Sequence, residues 1–145
     1  MNVKIEELMT TNVVTVTPHE TLAHIKTIFG NNRFSVLPVV GPDKEPVGIV
    51  SVSDILSDSS DSAPVSSVMT GEVYTIPQYE EPSIAARMMR NHKIHHLVVT
   101  HEKSVVGVLS SYDLLKLVEK HRYVEKNAAS SSKKKGKRAK SEASA

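Results

Sequence analysis

The chain has no cysteine among its 145 residues. Disulfides, thiolate zinc sites and cysteine nucleophiles are therefore excluded, and cysteine usage says nothing about redox compartment. No apolar run approaches the ~20 residues that would span a bilayer. The opening MNVKIEELMT is too charged and too poor in apolar residues for a signal peptide, so the expectation is a soluble, cytoplasmic protein without membrane contact. No G-x-x-x-x-G-K phosphate loop and no nucleophile–base arrangement is present, which argues against an enzyme. Positive charge is concentrated toward the end of the chain. Residues 128–145 hold six basic groups and one acid, and because the whole chain is +2, residues 1–127 carry a net −3.

What the chain does contain is a repeat. GIVSVSDIL (Gly48 to Leu56) and GVLSSYDLL (Gly107 to Leu115) share Gly, Ser, Asp and the final Leu at equal spacing. Upstream, Met9, Thr10, Val13, Thr15, Glu20, Asn31, Leu37 and Val39 recur sixty residues later. From 47 to 56 the offset is fifty-nine, so one residue is lost where GPDKEP faces HEKSV, as a surface turn allows. A duplication of this length sets the architecture before any motif is read.

Each repeat reads as strand, helix, strand, strand, helix. In the first, residues 13–16 form a β-branched run stopped by Pro18, and Leu22, Ile25 and Ile28 or Phe29 recur at helical spacing. Residues 36–40 and 47–50 are strands across a Gly-Pro-Asp turn, and a short helix starts near Ser53. In the second, residues 73–76, 97–100 and 105–109 are the strands. A helix over 83–91 carries Ala85, Met88 and Met89 as its apolar stripe, and a last helix over 112–123 turns Leu114, Leu115 and Val118 inward. Apolar strands alternating with helices predict an α/β (α+β) protein whose two halves pack together, since neither could cover its own small sheet. The expected units are 1–60, 61–127 and a disordered basic tail over 128–145.

The chemistry concentrates at Ser51-x-x-Asp54 and Ser110-x-x-Asp113. Such a pair is a helix capping box, and it also suits a nucleotide: a hydroxyl and helix-start N–H groups for phosphate, a carboxylate for ribose hydroxyls. Each pair follows a strand and has a glycine three residues earlier, at Gly48 and Gly107, which permits close approach to the backbone. His92, His95 and His96 have helix-like spacing, but the helix should end near His92 and no carboxylate lies close by, so metal ligation is set aside. The tail KKKGKRAK lacks aromatic residues. Any nucleic acid it held would be bound nonspecifically and with strong salt dependence.

G-h-h-[ST]-x-x-D closing such a unit, opened by M-T-x-x-V-x-T-V-x-P, resembles the CBS domain, named after cystathionine β-synthase. MTTNVVTVTP (9–18) matches the opening, MTGEVYTIPQ matches with its proline one place early, and AARMMRNHKIHHLVV (85–99) resembles the segment that follows. The resemblance covers about residues 3–120 and implies two β-α-β-β-α CBS repeats packed with pseudo-twofold symmetry as a Bateman module. It implies two clefts for an adenosine-containing regulatory ligand, such as AMP, ADP, ATP or S-adenosylmethionine, with no obligatory cofactor. Ser51 and Asp54 would belong to one cleft and Ser110 and Asp113 to the other. Thr15 and Thr75 would lie near the base. The family's proline before Val-Val is present as Pro38 but is Val98 in the second repeat, and its basic residue two places earlier is Val36 in one repeat and His96 in the other. His95 and His96 are then the candidate phosphate contacts, and the clefts should be unequal. A homodimer is also implied, and an effector protein is a further partner. The alternative is a nucleic-acid accessory protein working through the tail.

Overall fold

The computed structural model describes residues 2–56 and 60–119. The basic tail expected over 128–145 and the helical residues expected over 120–123 lie outside these. Helix α1 (Leu22–Asn31), strands β1 (Val36–Val40) and β2 (Pro46–Ser51) and the short helix α2 (Val52–Leu56) make the first repeat. Strand β3 (Thr75–Pro77), helix α3 (Pro82–His92), strands β4 (His96–His101) and β5 (Ser104–Ser110) and a helix α4 over 111–119 make the second. β1 and β2 pair antiparallel, and β3, β4 and β5 form a mixed sheet in which β3 runs parallel to β4. The two hairpins differ in their turns, where the residue between the repeats is lost, and both ladders slip at equivalent places, Val39/Val40 and Val99/Thr100.

The strand expected at 13–16 is reduced to a single bridge, Val16 beside Val39. Proline explains the asymmetry. In the second repeat the Val98 N–H donates to the Tyr74 carbonyl at 3.0 Å. Its counterpart is Pro38, which has no N–H, so the first repeat keeps only the Val16–Pro38 and Val40–Val16 bonds.

Two hydrophobic cores flank the centre, and each borrows from the other repeat. Ile5 and Leu8, at the opening of the first repeat, pack with Ile76, Ala85, Met89, Leu97, Val99 and Leu109 of the second. Val65, at the opening of the second repeat, packs with Val16, Leu22, Ile25, Leu37, Val39, Val50 and Ile55 of the first. The Met-Thr dipeptides make the exchange: Thr10 bridges Val108, and Thr70 bridges Ile49, each through two backbone hydrogen bonds. Spatial halves and sequence repeats therefore differ, with the segments near 5–10 and 63–70 trading places.

The exchange also explains the glycines. A Cβ on Gly48 would stand 2.4 Å from the Met69 sulfur, and one on Gly107 would stand 2.6 Å from the Met9 sulfur. What approaches these backbones is a methionine from the opposite repeat. Met88 and Met89 are core side chains of the second half. On α4 the inward positions are Leu114 and Leu117, whereas Leu115 and Val118 are 56% and 60% exposed. Apolar residues at 114, 115, 117 and 118 span more than one face, and packing chose a phase rotated from the one expected.

Candidate functional site

The exchanged segments leave two clefts related by the repeat. The larger, about 520 Å³, is lined by Ser51 and Asp54 from the β2–α2 junction, by Thr70, Glu72, Val73 and Tyr74 from the crossing segment, and by Ile94, His95 and His96 ahead of and on β4. The smaller, about 180 Å³, is lined by Ser110 and Asp113, by Thr10 and Val13, and by Arg33 and Phe34. Ser35, Val36 and His96 form the wall common to both. Shifting one lining set by the repeat offset nearly generates the other. Each cleft thus joins the hydroxyl–carboxylate pair of one repeat to the opening segment of the other.

Both pairs are built as capping boxes. The Ser51 N–H donates to Asp54 Oδ2 at 2.8 Å and the Asp54 N–H donates to Ser51 Oγ at 3.3 Å. In the second box the corresponding distances are 2.9 and 3.1 Å. The intervening amides are occupied too, since Val52 N–H donates to the Ser35 carbonyl and Ser111 N–H to the His95 carbonyl. The amides at these helix starts that would have cradled a phosphate are largely taken. The two carboxylates differ. Asp113 is 8% exposed and its Oδ1 lies 3.3 Å from Lys116 Nζ. Asp54 is half-buried at the mouth of the larger cleft.

The histidines diverge. His92 ends α3 and stacks on Tyr74 with centroids 4.1 Å apart. His96 Nε2 lies 3.4 Å from Ser35 Oγ, across the repeat boundary. His95 faces the larger cleft and approaches Ser111 Oγ at 3.5 Å. Among the described residues no group of three or more His, Cys, Asp or Glu could hold a metal ion. Burial pushes the His96 pKa below the usual histidine value, His95 adds to this, and Asp113 opposes it. His96 is therefore neutral near pH 7, and its charging is postponed below the ~6.5 of a free imidazole. The linkage has a definite sign. Below ~6.5 the unfolded chain takes up a proton that the folded one refuses, so His96 lowers stability as pH falls through that value. Urea unfolding at about pH 8 and about pH 5.5 should show a smaller stability loss in His96→Gln than in the parent; an equal loss would contradict this. Tyr74 is shifted upward by desolvation and by its hydrogen bond to Glu72, where Tyr74 Oη donates to Oε2 at 3.1 Å.

Of the residues singled out from sequence, the structure brings Ser51, Asp54, His95 and His96 to one cleft and Ser110, Asp113 and His96 to the other. It does not bring the two threonines there. Thr15 lines neither cleft, and Thr75, held in β3 beside Val98, lines a separate depression with Glu45, Pro46 and Tyr79. The threonines at the clefts are Thr10 and Thr70. Their signal was already in the sequence, since both belong to the repeated Met-Thr. Glu72 and Tyr74 have no repeat signal, because Asn12 and Val14 stand at the matching places.

The CBS domain family model matches residues 5–61 and again 65–120, so the chain belongs to the CBS domain family and carries a tandem pair. An uncharacterized protein of Methanocaldococcus jannaschii, MJ1232, is 31% identical over 120 residues, covering 81% of this chain and 40% of its own length. The chain spans less than half of the curated relatives it matches. Among solved structures, an acetoin utilization protein (AcuB) from Vibrio cholerae superposes with a TM-score of 0.74 at 25% identity, covering 88% of this chain and 98% of that one. The CBS domain pair of protein MJ0100, in complex with 5′-methylthioadenosine and S-adenosyl-L-methionine, superposes with a TM-score of 0.71 at 21% identity, covering 83% and 99%.

Proposed function

We propose that this CBS pair is a regulatory, non-catalytic module that senses an adenosine-containing ligand in the larger cleft. The observation carrying this reading is the half-buried Asp54, placed by its capping box at the mouth of a cavity built from both repeats. A carboxylate accepts from both hydroxyls of a ribose, and charge-assisted bonds of this kind are the strong ones. The apolar wall of Val36, Ile49, Val73 and Ile94 suits a flat base. Two adenosine derivatives bound by the MJ0100 pair support the ligand class. Because the lining comes from both halves, a ligand preferring one relative orientation shifts the population toward it. That shift is the signal to an effector. The smaller cleft, with Asp113 already paired to Lys116, is the weaker site.

The reading includes a cytoplasmic homodimer. Tyr112, Leu115 and Val118, exposed apolar side chains on α4, support an interface there. No helix among the described residues is long and apolar enough to cross a membrane. A thermal-shift series with adenosine, 5′-methylthioadenosine, S-adenosylmethionine, AMP, ADP and ATP tests the ligand class. A true ligand at ~100 times its dissociation constant adds roughly 2.7 kcal/mol, which appears as a rise of several degrees. No rise with any of them would reject the proposal.

A further inference from the structure

We infer that Met9 and Met69 are a matched pair of oxidation sites, at which conversion of the thioether to the sulfoxide unseats the segments that cross between the repeats. The chain has no cysteine, so methionine carries all of its sulfur chemistry. Each sulfur occupies the place that a Cβ would take on a glycine of the opposite repeat, Met69 on Gly48 and Met9 on Gly107. The two Cγ atoms come within 3.1 Å of the same points, so each thioether lies against strand backbone. Both side chains also cover a core, Met9 the one around Leu97 and Met69 the one around Leu37. They are nonetheless half-buried, which leaves a path for a small oxidant. In the reaction, hydrogen peroxide gives one oxygen to the sulfur as its O–O bond breaks. The sulfur is oxidised by two electrons, and the peroxide is reduced to water. The product carries a strongly polar S=O group on a side chain that was seated as an apolar one. Glycine backbone blocks one side of that oxygen and apolar side chains another, so the sulfoxide must turn out to water. Seat and bridge are adjacent. Thr10 and Thr70 directly follow the two methionines, and each holds its segment through two backbone hydrogen bonds, to Val108 and to Ile49. Turning the side chain out loosens the bridge beside it, and the same two threonines line the two clefts. Met89 is buried, and Met88 sits on α3, where its side chain can move without disturbing a bridge.

The test treats the folded full chain with dilute hydrogen peroxide, maps sulfoxides by peptide mass spectrometry and follows urea unfolding. Sulfoxide at Met9 and Met69 should lower the urea midpoint by about 1 M. Methionine sulfoxide reductases A and B, added together, should restore it. Hydrogen exchange of the folded, oxidised chain should quicken at the Thr10 and Thr70 amides, which donate to Val108 and Ile49. In the double variant Met9→Leu, Met69→Leu, which stays apolar but has no thioether at these seats, most of the midpoint shift should disappear. Should that variant not fold, the parent alone decides. At intermediate urea the unfolded fraction of a partly oxidised sample should be enriched in sulfoxide at Met9 and Met69. Four results would each overturn the inference: both sulfoxides present with an unchanged midpoint, a shift that persists in the double variant, a shift that the reductases do not reverse, or enrichment at Met88 or Met89 alone.

Discussion

Asp54→Ala is expected to weaken the adenosine ligand by about 100-fold, near 2.7 kcal/mol, the loss of charge-assisted bonds to two hydroxyls less what water restores. The same change removes half of a capping box and should cost about 1 kcal/mol of stability. The two effects are separable. Asp54→Asn keeps an oxygen for the Ser51 N–H but not the negative charge, so it should recover most of the stability and little of the binding. Asp113→Ala should show the opposite balance. Its carboxylate is buried and bonded to Ser110 and Lys116, so stability falls further and larger-cleft affinity stays. Calorimetry beside urea unfolding checks all three. Equal loss of affinity in Asp54→Ala and Asp113→Ala would contradict the assignment of the pairs to separate clefts.

Gly107→Ala is expected to destabilise the fold by about 3 kcal/mol, and Gly48→Ala by about 1 kcal/mol. Both glycines lie under a methionine of the opposite repeat, but the obstacles differ in kind. At Gly48 the atoms within reach belong to the flexible Met69 side chain, which can swing away. At Gly107 the new methyl would also stand 2.8 Å from the Thr10 carbonyl oxygen, part of the bridge joining the opening segment to Val108. Moving that backbone disturbs the exchange itself. Chemical denaturation midpoints give the comparison directly, and equal losses at the two positions would show that the bridge yields as easily as a side chain.

The sequence made the elements legible where pattern and punctuation agreed. α1 spans Leu22–Asn31, following the apolar spacing from Leu22, and α3 ends at His92 with Lys93 in the left-handed region. The strand pairs appear where β-branched runs flank turn residues. Inequality of the clefts was legible from Val36 against His96, and that histidine stands in the wall common to both. What escaped is nonlocal. Nothing in a linear repeat says that Ile5 packs with Leu97, or that Val65 packs with Leu37, because hydrophobic burial is indifferent to which repeat supplies the side chain. That exchange carries Thr10 and Thr70 to the clefts and leaves Thr15 and Thr75 beyond them. It also gives the glycines their neighbours. Glu72, which lines the larger cleft, departs from the repeat, so a reading built on recurrence passes over it.

The central claim is that an adenosine group occupies the larger cleft with its ribose on Asp54. A crystal structure of the full chain grown with saturating 5′-methylthioadenosine examines it most directly. The account predicts ribose hydroxyls within hydrogen-bond distance of Asp54 and the base between Val36, Ile49, Val73 and Ile94. An empty larger cleft under those conditions, or a ligand held elsewhere without Asp54, would contradict it.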